Sequence, residues 1–215
     1  MTHLKKNKHY YTKIPATLKA VNEELRKGLT LLNKIGKPII TFFGSHRTLQ
    51  SDPNYKHAKK LAHTLGTKNY AILTGGGPGI MKAANTGARQ AKSTSLGFRA
   101  QLLKEQHMPN TLFTHTISLR HLFTRRFLLA IKSEALIFYP GAYGTLNELF
   151  EYLTLIQTGM VDKVPLICVN KKYWTGLFNW MKKHPLKEDY LHQAKDLELI
   201  TFADNHEEII KLIEK

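Results

Sequence analysis

Tyr70-Ala71-Ile72-Leu73-Thr74-Gly75-Gly76-Gly77-Pro78-Gly79-Ile80-Met81 runs from a short apolar stretch, through a glycine-rich turn, into a segment with helical spacing. The apolar stretch is too short for a helix. It also lacks the alternation of a strand with one wet face, so it predicts a strand over 70–73 buried on both sides. The glycines free the backbone to turn sharply, and residues 80–91 then read as a helix. A buried strand that passes through glycines into a helix is the repeating unit of a parallel α/β sheet.

The same unit recurs on either side. Residues 39–43 (IITFF) end in Gly44-Ser45, and residues 135–139 (ALIFY) run into Pro140-Gly141-Ala142-Tyr143-Gly144-Thr145. Around them the spacing predicts helices over 16–35, 55–65, 119–132, 146–157, 173–183 and 207–215, and further strands over 95–97, 112–117, 164–169 and 197–202. The first helix carries Leu18, Val21, Leu25, Leu29 and Leu32 at three- and four-residue intervals, the stripe expected to face the core. With no internal repeat, low-complexity tract or linker, the expectation is an α/β fold: one doubly wound parallel sheet in a single domain over 16–215, preceded by a loose basic arm over 1–15.

Composition narrows the class. At 215 residues and 42% hydrophobic content the chain can bury a real core, and that apolar content with a near-average 14 Gly and 8 Pro argues against disorder. The longest apolar runs, 38–43 and 135–139, are strand-sized, so no membrane span is expected. Residues 1–13 are polar and basic with no apolar core, so neither is a signal peptide, and a cytoplasmic protein is the expectation. A single cysteine, Cys168, excludes an intramolecular disulfide and a multi-cysteine metal site. The eleven histidines show no metal-ligand spacing.

Charge is the outlier. Lys and Arg number 32 against 16 Asp and Glu, a formal +16. Residues 1–60 carry 13 basic and 3 acidic side chains, residues 61–187 carry 16 and 5, and residues 188–215 carry 3 and 8. Such a field favours phosphates, nucleotides or nucleic acid, although a solvated basic surface gives the same count. Nucleic acid is the less favoured partner, because no RNP motif, helix-turn-helix signature or zinc finger accompanies the charge.

In a doubly wound sheet, ligands bind beyond the carboxyl ends of the strands. Three loops hold that position: Gly44-Ser45-His46-Arg47, Gly75 to Gly79, and Pro140 to Thr145. Each opens toward a helix whose first N–H groups and positive dipole end suit a phosphate. Neither glycine-rich loop ends in the Gly-Lys-Ser/Thr of a Walker A loop. Neither fits G-x-G-x-x-G with an acid closing the next strand, so a mononucleotide or sugar phosphate suits them better than a dinucleotide. Glu148 stands three residues after Thr145, where Thr-x-x-Glu also reads as a capping box. Arg125 and Arg126 lie on the preceding helix, where they also read as a solvated basic face. Neighbours on a helix point about 100° apart, so at most one can face a given point squarely. Taken together, a carboxylate and a guanidinium beside a phosphate-shaped loop suit cleavage at an anomeric carbon.

The segments Gly75-Gly76-Gly77-Pro78-Gly79-Ile80-Met81, Arg125-Arg126 and Pro140-Gly141-Ala142-Tyr143-Gly144-Thr145-Leu146-Asn147-Glu148 resemble the GGGxxGxM, R-K and PGGxGTxxE motifs of the LOG family of nucleoside-monophosphate phosphoribohydrolases. The resemblance extends from about Ile39 to Trp180. It implies a Rossmann-like fold, a homodimer, no metal or redox cofactor, and hydrolysis of the N-glycosidic bond of AMP or a cytokinin riboside monophosphate. Arg125 and Glu148 match the family's catalytic pair. The resemblance implies a substrate-binding set of Gly44, Ser45, Gly76, Gly77, Gly79, Met81, Arg126, Gly141, Ala142, Tyr143, Gly144 and Thr145. The chain departs from the pattern at Ala142 (glycine), Arg126 (lysine), Asn147 (an acid) and Lys82 (glutamate in bacterial relatives). The alternative reading is a non-catalytic nucleotide or phosphate binder on the same scaffold. A pyridoxal phosphate decarboxylase needs a buried Schiff-base lysine, and nothing marks Lys132 or Lys163 for that role.

Overall fold

A computed structural model of the chain describes residues 10–101, 108–188, 190–191 and 194–215. The strands are β1 (Ile39–Phe43), β2 (Ala71–Thr74), β3 (Ser95–Ala100), β4 (His115–Leu119), β5 (Ser133–Phe138), β6 (Leu166–Cys168) and β7 (Ile200–Phe202). The helices packed on them are α1 (Ile14–Lys34), α2 (Pro53–Thr67), α3 (Ile80–Gln90), α4 (Leu122–Ala130), α5 (Tyr143–Gln157), α6 (Lys171–Met181) and α7 (His206–Ile213). All seven strands are parallel, in the order β4-β3-β2-β1-β5-β6-β7. The chain winds outward from β1 to β4, returns beside β1 as β5, and winds out the other way. The junction of β1 and β5 is therefore the topological switch point, where such sheets open a crevice.

Alternation along the central strands feeds two cores. Ile39 and Phe43 of β1 join Leu73, Phe98, Leu136, Phe138 and Trp174 on one face, under α1, α4, α5 and α6. Ile40 and Phe42 join Ile72, Ile137, Leu61 and Ile209 on the other, under α2, α3 and α7. Buried on both sides, the strands read as continuous apolar runs.

Several boundaries differ from the sequence expectation. Helix α5 starts at Tyr143 rather than 146, so Thr145 lies inside the first turn and Glu148 in the second. Thr145 therefore does not cap the helix, and the capping-box reading fails. Helix α4 starts at Leu122 rather than 119, because Leu119 ends β4 and its carbonyl accepts from the Gln101 N–H at 2.7 Å. Of the expected arm, residues 1–9 lie outside the described residues, residues 10–12 are helical, and Ile14 opens α1.

Of the expected stripe on α1, Leu32 is buried and Leu25 packs against the core, while Leu18 and Leu29 stay exposed; Glu24 and Gly28 complete the buried face. Gly28 is required there, since a Cβ on it would fall 2.3 Å from Leu128 Cδ1. Glu24 accepts from the N–H groups of Arg120 (2.7 Å) and His121 (3.3 Å), from His121 Nδ1 (3.1 Å) and from Thr124 Oγ1 (2.6 Å). Burial pushes its carboxyl up, but these hydrogen bonds prevail and hold it below the usual carboxylate range. A buried carboxylate thereby caps the start of α4.

Candidate active site

Three loops meet at the switch point, and Ser45 joins them. Its N–H donates to the Pro140 carbonyl at 3.0 Å, and its own carbonyl accepts from the Ile80 N–H at 3.1 Å. Two glycines make that meeting possible. Gly79 has φ +65°, and a Cβ there would fall 2.2 Å from the Ser45 carbonyl oxygen. A Cβ on Gly141 would fall 2.2 Å from Thr145 Oγ1 and 3.2 Å from the Ser45 nitrogen. The first N–H of α3 is thus consumed inside the protein.

Helix α5 is open by contrast. Tyr143, Gly144 and Thr145, its first three residues, all border a cleft of about 530 Å³. Their N–H groups are those a helix leaves without an intrahelical partner. Ala142, the N-cap, has φ −105°, so this position makes no conformational demand for glycine.

Arg125 forms the cleft's inner wall. It is 8% exposed. Nε donates to the Phe98 carbonyl at 2.7 Å and Nη2 to the Gly75 carbonyl at 3.1 Å. Arg126, next on α4, turns away and pairs with Glu151 of α5. One arginine is thereby committed to the cleft floor, while the other is largely neutralised at its rim. The Tyr152 hydroxyl donates to the Arg126 carbonyl at 2.9 Å, and burial raises its pKa. This bond pins α5 to α4. Glu148 stands one turn before Tyr152 on the same helical face, and it lines the same cleft as Arg125.

The residues singled out from sequence divide into two groups. Arg125, Glu148, Gly44, Ser45, Met81, Arg126, Ala142, Tyr143, Gly144 and Thr145 all line the cleft. Gly76, Gly77, Gly79 and Gly141 are not among its lining residues; Gly79 and Gly141 serve the packing of the loops. Lys82 also lies off the cleft, in the first turn of α3, while Asn147 borders it.

The sequence marks the loop Gly44-Ser45-His46-Arg47 but places only Gly44 and Ser45 in the binding set; His46 and Arg47 also line the cleft, as does Leu122 at the start of α4, which sequence reasoning passed over. The signal for His46 and Arg47 was position: they follow a buried strand at the switch point. Sequence reasoning also passed over Asn85, which supports the Gly75–Gly77 turn from below. Asn85 Oδ1 accepts from Thr74 Oγ1 at 2.5 Å, and Thr74 Oγ1 accepts from the Gly76 N–H at 2.9 Å. Asn85 Nδ2 donates to Ser95 Oγ and to the Leu96 carbonyl.

With Arg47 and Arg125 against Glu148, and Arg126 paired with Glu151, the cleft lining is net positive, which suits an anionic ligand. No lysine is among its described lining residues, so it offers no Schiff-base nitrogen. Lys132 is occupied elsewhere, its ammonium donating to the Leu32 and Ile35 carbonyls at 2.7 and 2.8 Å. Among the described residues no group of three or more His, Cys, Asp or Glu could hold a metal ion, and no helix is long and apolar enough to cross a membrane.

The family described as "Possible lysine decarboxylase" matches residues 81–213. The cytokinin riboside 5′-monophosphate phosphoribohydrolase LOG3 of Arabidopsis thaliana is 27% identical over 192 residues, 88% of this chain and 87% of that protein. LOG4 of the same plant, a protein of the same name, is 27% identical over 197 residues, 90% and 86% of the two chains. Among solved structures, the molybdenum cofactor binding protein from Rippkaea orientalis superposes with a TM-score of 0.60 at 21% identity, over 84% of this chain and 98% of its own. That likeness shows a shared fold. With the family's pattern matched over more than half of its length, and the two plant proteins over most of it, the chain belongs to the LOG family.

Proposed function

We propose that the protein hydrolyses the N-glycosidic bond of a purine nucleoside 5′-monophosphate, AMP or a cytokinin riboside monophosphate, releasing the free base and ribose 5-phosphate. The observation that carries this reading is that Arg125 and Glu148, on two helices pinned by Tyr152, border one cleft beside the open N-terminus of α5. The 5′-phosphate sits at the N–H groups of residues 143–145, with Arg47 balancing its charge. The ribose lies between Glu148 and Arg125. The Glu148 carboxylate positions water and takes its proton as the water oxygen bonds to C1′. The C1′–N bond breaks with its electron pair on the base, which is protonated as it leaves. Glu148 also faces the positive charge that develops at the anomeric carbon. Arg125, fixed by two carbonyls, orients that carboxylate. The names of the plant relatives support the substrate class.

The test is base release from a panel of 5′-monophosphates, followed by chromatography. Adenine from AMP, reduced at least about 100-fold by Glu148→Ala, is the expected result. AMP bound without release of any base would leave a non-catalytic binder.

The working unit we propose is a homodimer. Phe123 and Phe127 on α4 and Ile131 at its C-cap lie at four-residue intervals and are 52%, 36% and 39% exposed, with Leu122 beside them at the cleft. An apolar stripe of that kind on a surface helix is suited to a second copy of itself.

A further inference from the structure

Strand β4 is an edge of the sheet, and no strand covers its outer side among the described residues. Beside it, sharing no lining residue with the cleft, runs a groove of about 600 Å³ between β4 and the second half of α1. Leu31 and Ile117, both half-buried, form its apolar floor, and Arg26, Lys27 and Lys34 stand exposed along its helical wall. No acidic side chain is among its described lining residues.

We propose that this groove binds an acidic peptide segment in extended form, added to the sheet as a further strand beside β4. Three features fix the chemistry of the occupant. The outward backbone groups of an edge strand are matched by another peptide backbone, not by a sugar-phosphate chain. The apolar floor takes a small aliphatic side chain. The cations demand carboxylates at a set spacing: Arg26 and Lys34 are eight residues apart, about 12 Å along a helix. Four residues of an extended chain cover about 13 Å. Acids at positions i and i+4 of a strand share one face with the residue between them at i+2. Glu-x-Val-x-Glu therefore places its carboxylates at Arg26 and Lys34 and its valine over Leu31 and Ile117. A second copy is the poorer occupant, because two-fold pairing along β4 would bring both sets of cations together.

The experiment is fluorescence polarisation of a labelled, acetylated peptide Ser-Glu-Thr-Val-Thr-Glu-Ser with the full chain at low salt. Binding that falls at least about tenfold in Arg26→Glu/Lys34→Glu, and again when alternate peptide amides are N-methylated, supports strand addition. A change of both glutamates to lysine should abolish binding. Four results would overturn the proposal. The acidic peptide fails to bind, or binds equally well when N-methylated, which is bare charge attraction. A ten-residue oligothymidylate binds more tightly and loses affinity in the same variant, which marks a nucleic-acid surface. Sedimentation shows an assembly of the wild type that the double variant loses, which marks a contact between copies. Circular dichroism of the variant guards against misfolding, and the N-methyl comparison leaves the protein untouched.

Discussion

The Arg125 guanidinium donates to the Gly75 carbonyl at 3.1 Å, and the space between them is too small for a methyl group: a Cβ on residue 75 would fall 1.9 Å from Arg125 Nη2. Gly75 is not among the glycines with positive φ, so alanine there brings no backbone strain. The next contact, Met81 Sδ, is also on a flexible side chain. Gly75→Ala should therefore displace Arg125 while leaving the fold intact. The expected result is a fall in kcat of at least about tenfold with the melting temperature within a few degrees of wild type. A large drop in melting temperature would show that the guanidinium cannot move aside.

Glu24→Ala removes the acceptor of four hydrogen bonds at the start of α4 and leaves buried N–H groups without it. Urea unfolding should show a loss of about 2–4 kcal/mol. Because the folded carboxyl titrates below its ordinary range, its contribution is present above the unfolded pKa and lost as pH falls through the folded one. Glu24→Gln should flatten that part of the acid limb.

His57 and His206 pack edge to face with centroids 4.1 Å apart, and His57 Nδ1 bonds the Tyr139 hydroxyl at 2.8 Å. Burial lowers both imidazoles, His206 to about 4 with His57 adding repulsion; Asp204 partly offsets the shift of His57. Free histidine titrates near about 6.5, so below that pH the unfolded chain takes up protons that the folded one refuses. Stability should fall as pH drops from about 6.5 to about 4, read as a declining urea midpoint. His206→Asn should lessen the slope; an unchanged slope would place the pH dependence elsewhere.

Phe127→Glu sets a charge in the middle of the exposed stripe on α4. Sedimentation equilibrium should give twice the chain mass for wild type and the single mass for the variant. A monomeric wild type would sink the proposed dimer.

The sheet was legible because strands buried on both faces are written as unbroken apolar runs, and the loops because glycines follow those runs. The first turn of α5 was not legible: Gly144 is a poor helix former, and the motif reads as loop until its backbone is seen. Two residues on the inner face of α1 escaped for a different reason. Glu24 and Gly28 are buried by partners about a hundred residues away, Thr124 and Leu128, which local periodicity cannot register. Of the candidate site, the sequence marked most of the residues that border the cleft, but not Leu122, nor which glycines lie off its lining. Gly79 and Gly141 face other backbone and side-chain atoms of the chain instead.

Ser45 holds the loops after β1, β2 and β5 in mutual register through its two backbone bonds. The conformational entropy of ordering those loops is therefore lost during folding, before any ligand arrives. The nucleotide proposed for this cleft would meet walls already in place, so its affinity would not be spent on closing them. Calorimetry of such binding should show a heat-capacity change no larger than the area of the ligand itself accounts for, and amides at the junction should exchange as slowly without ligand as with it.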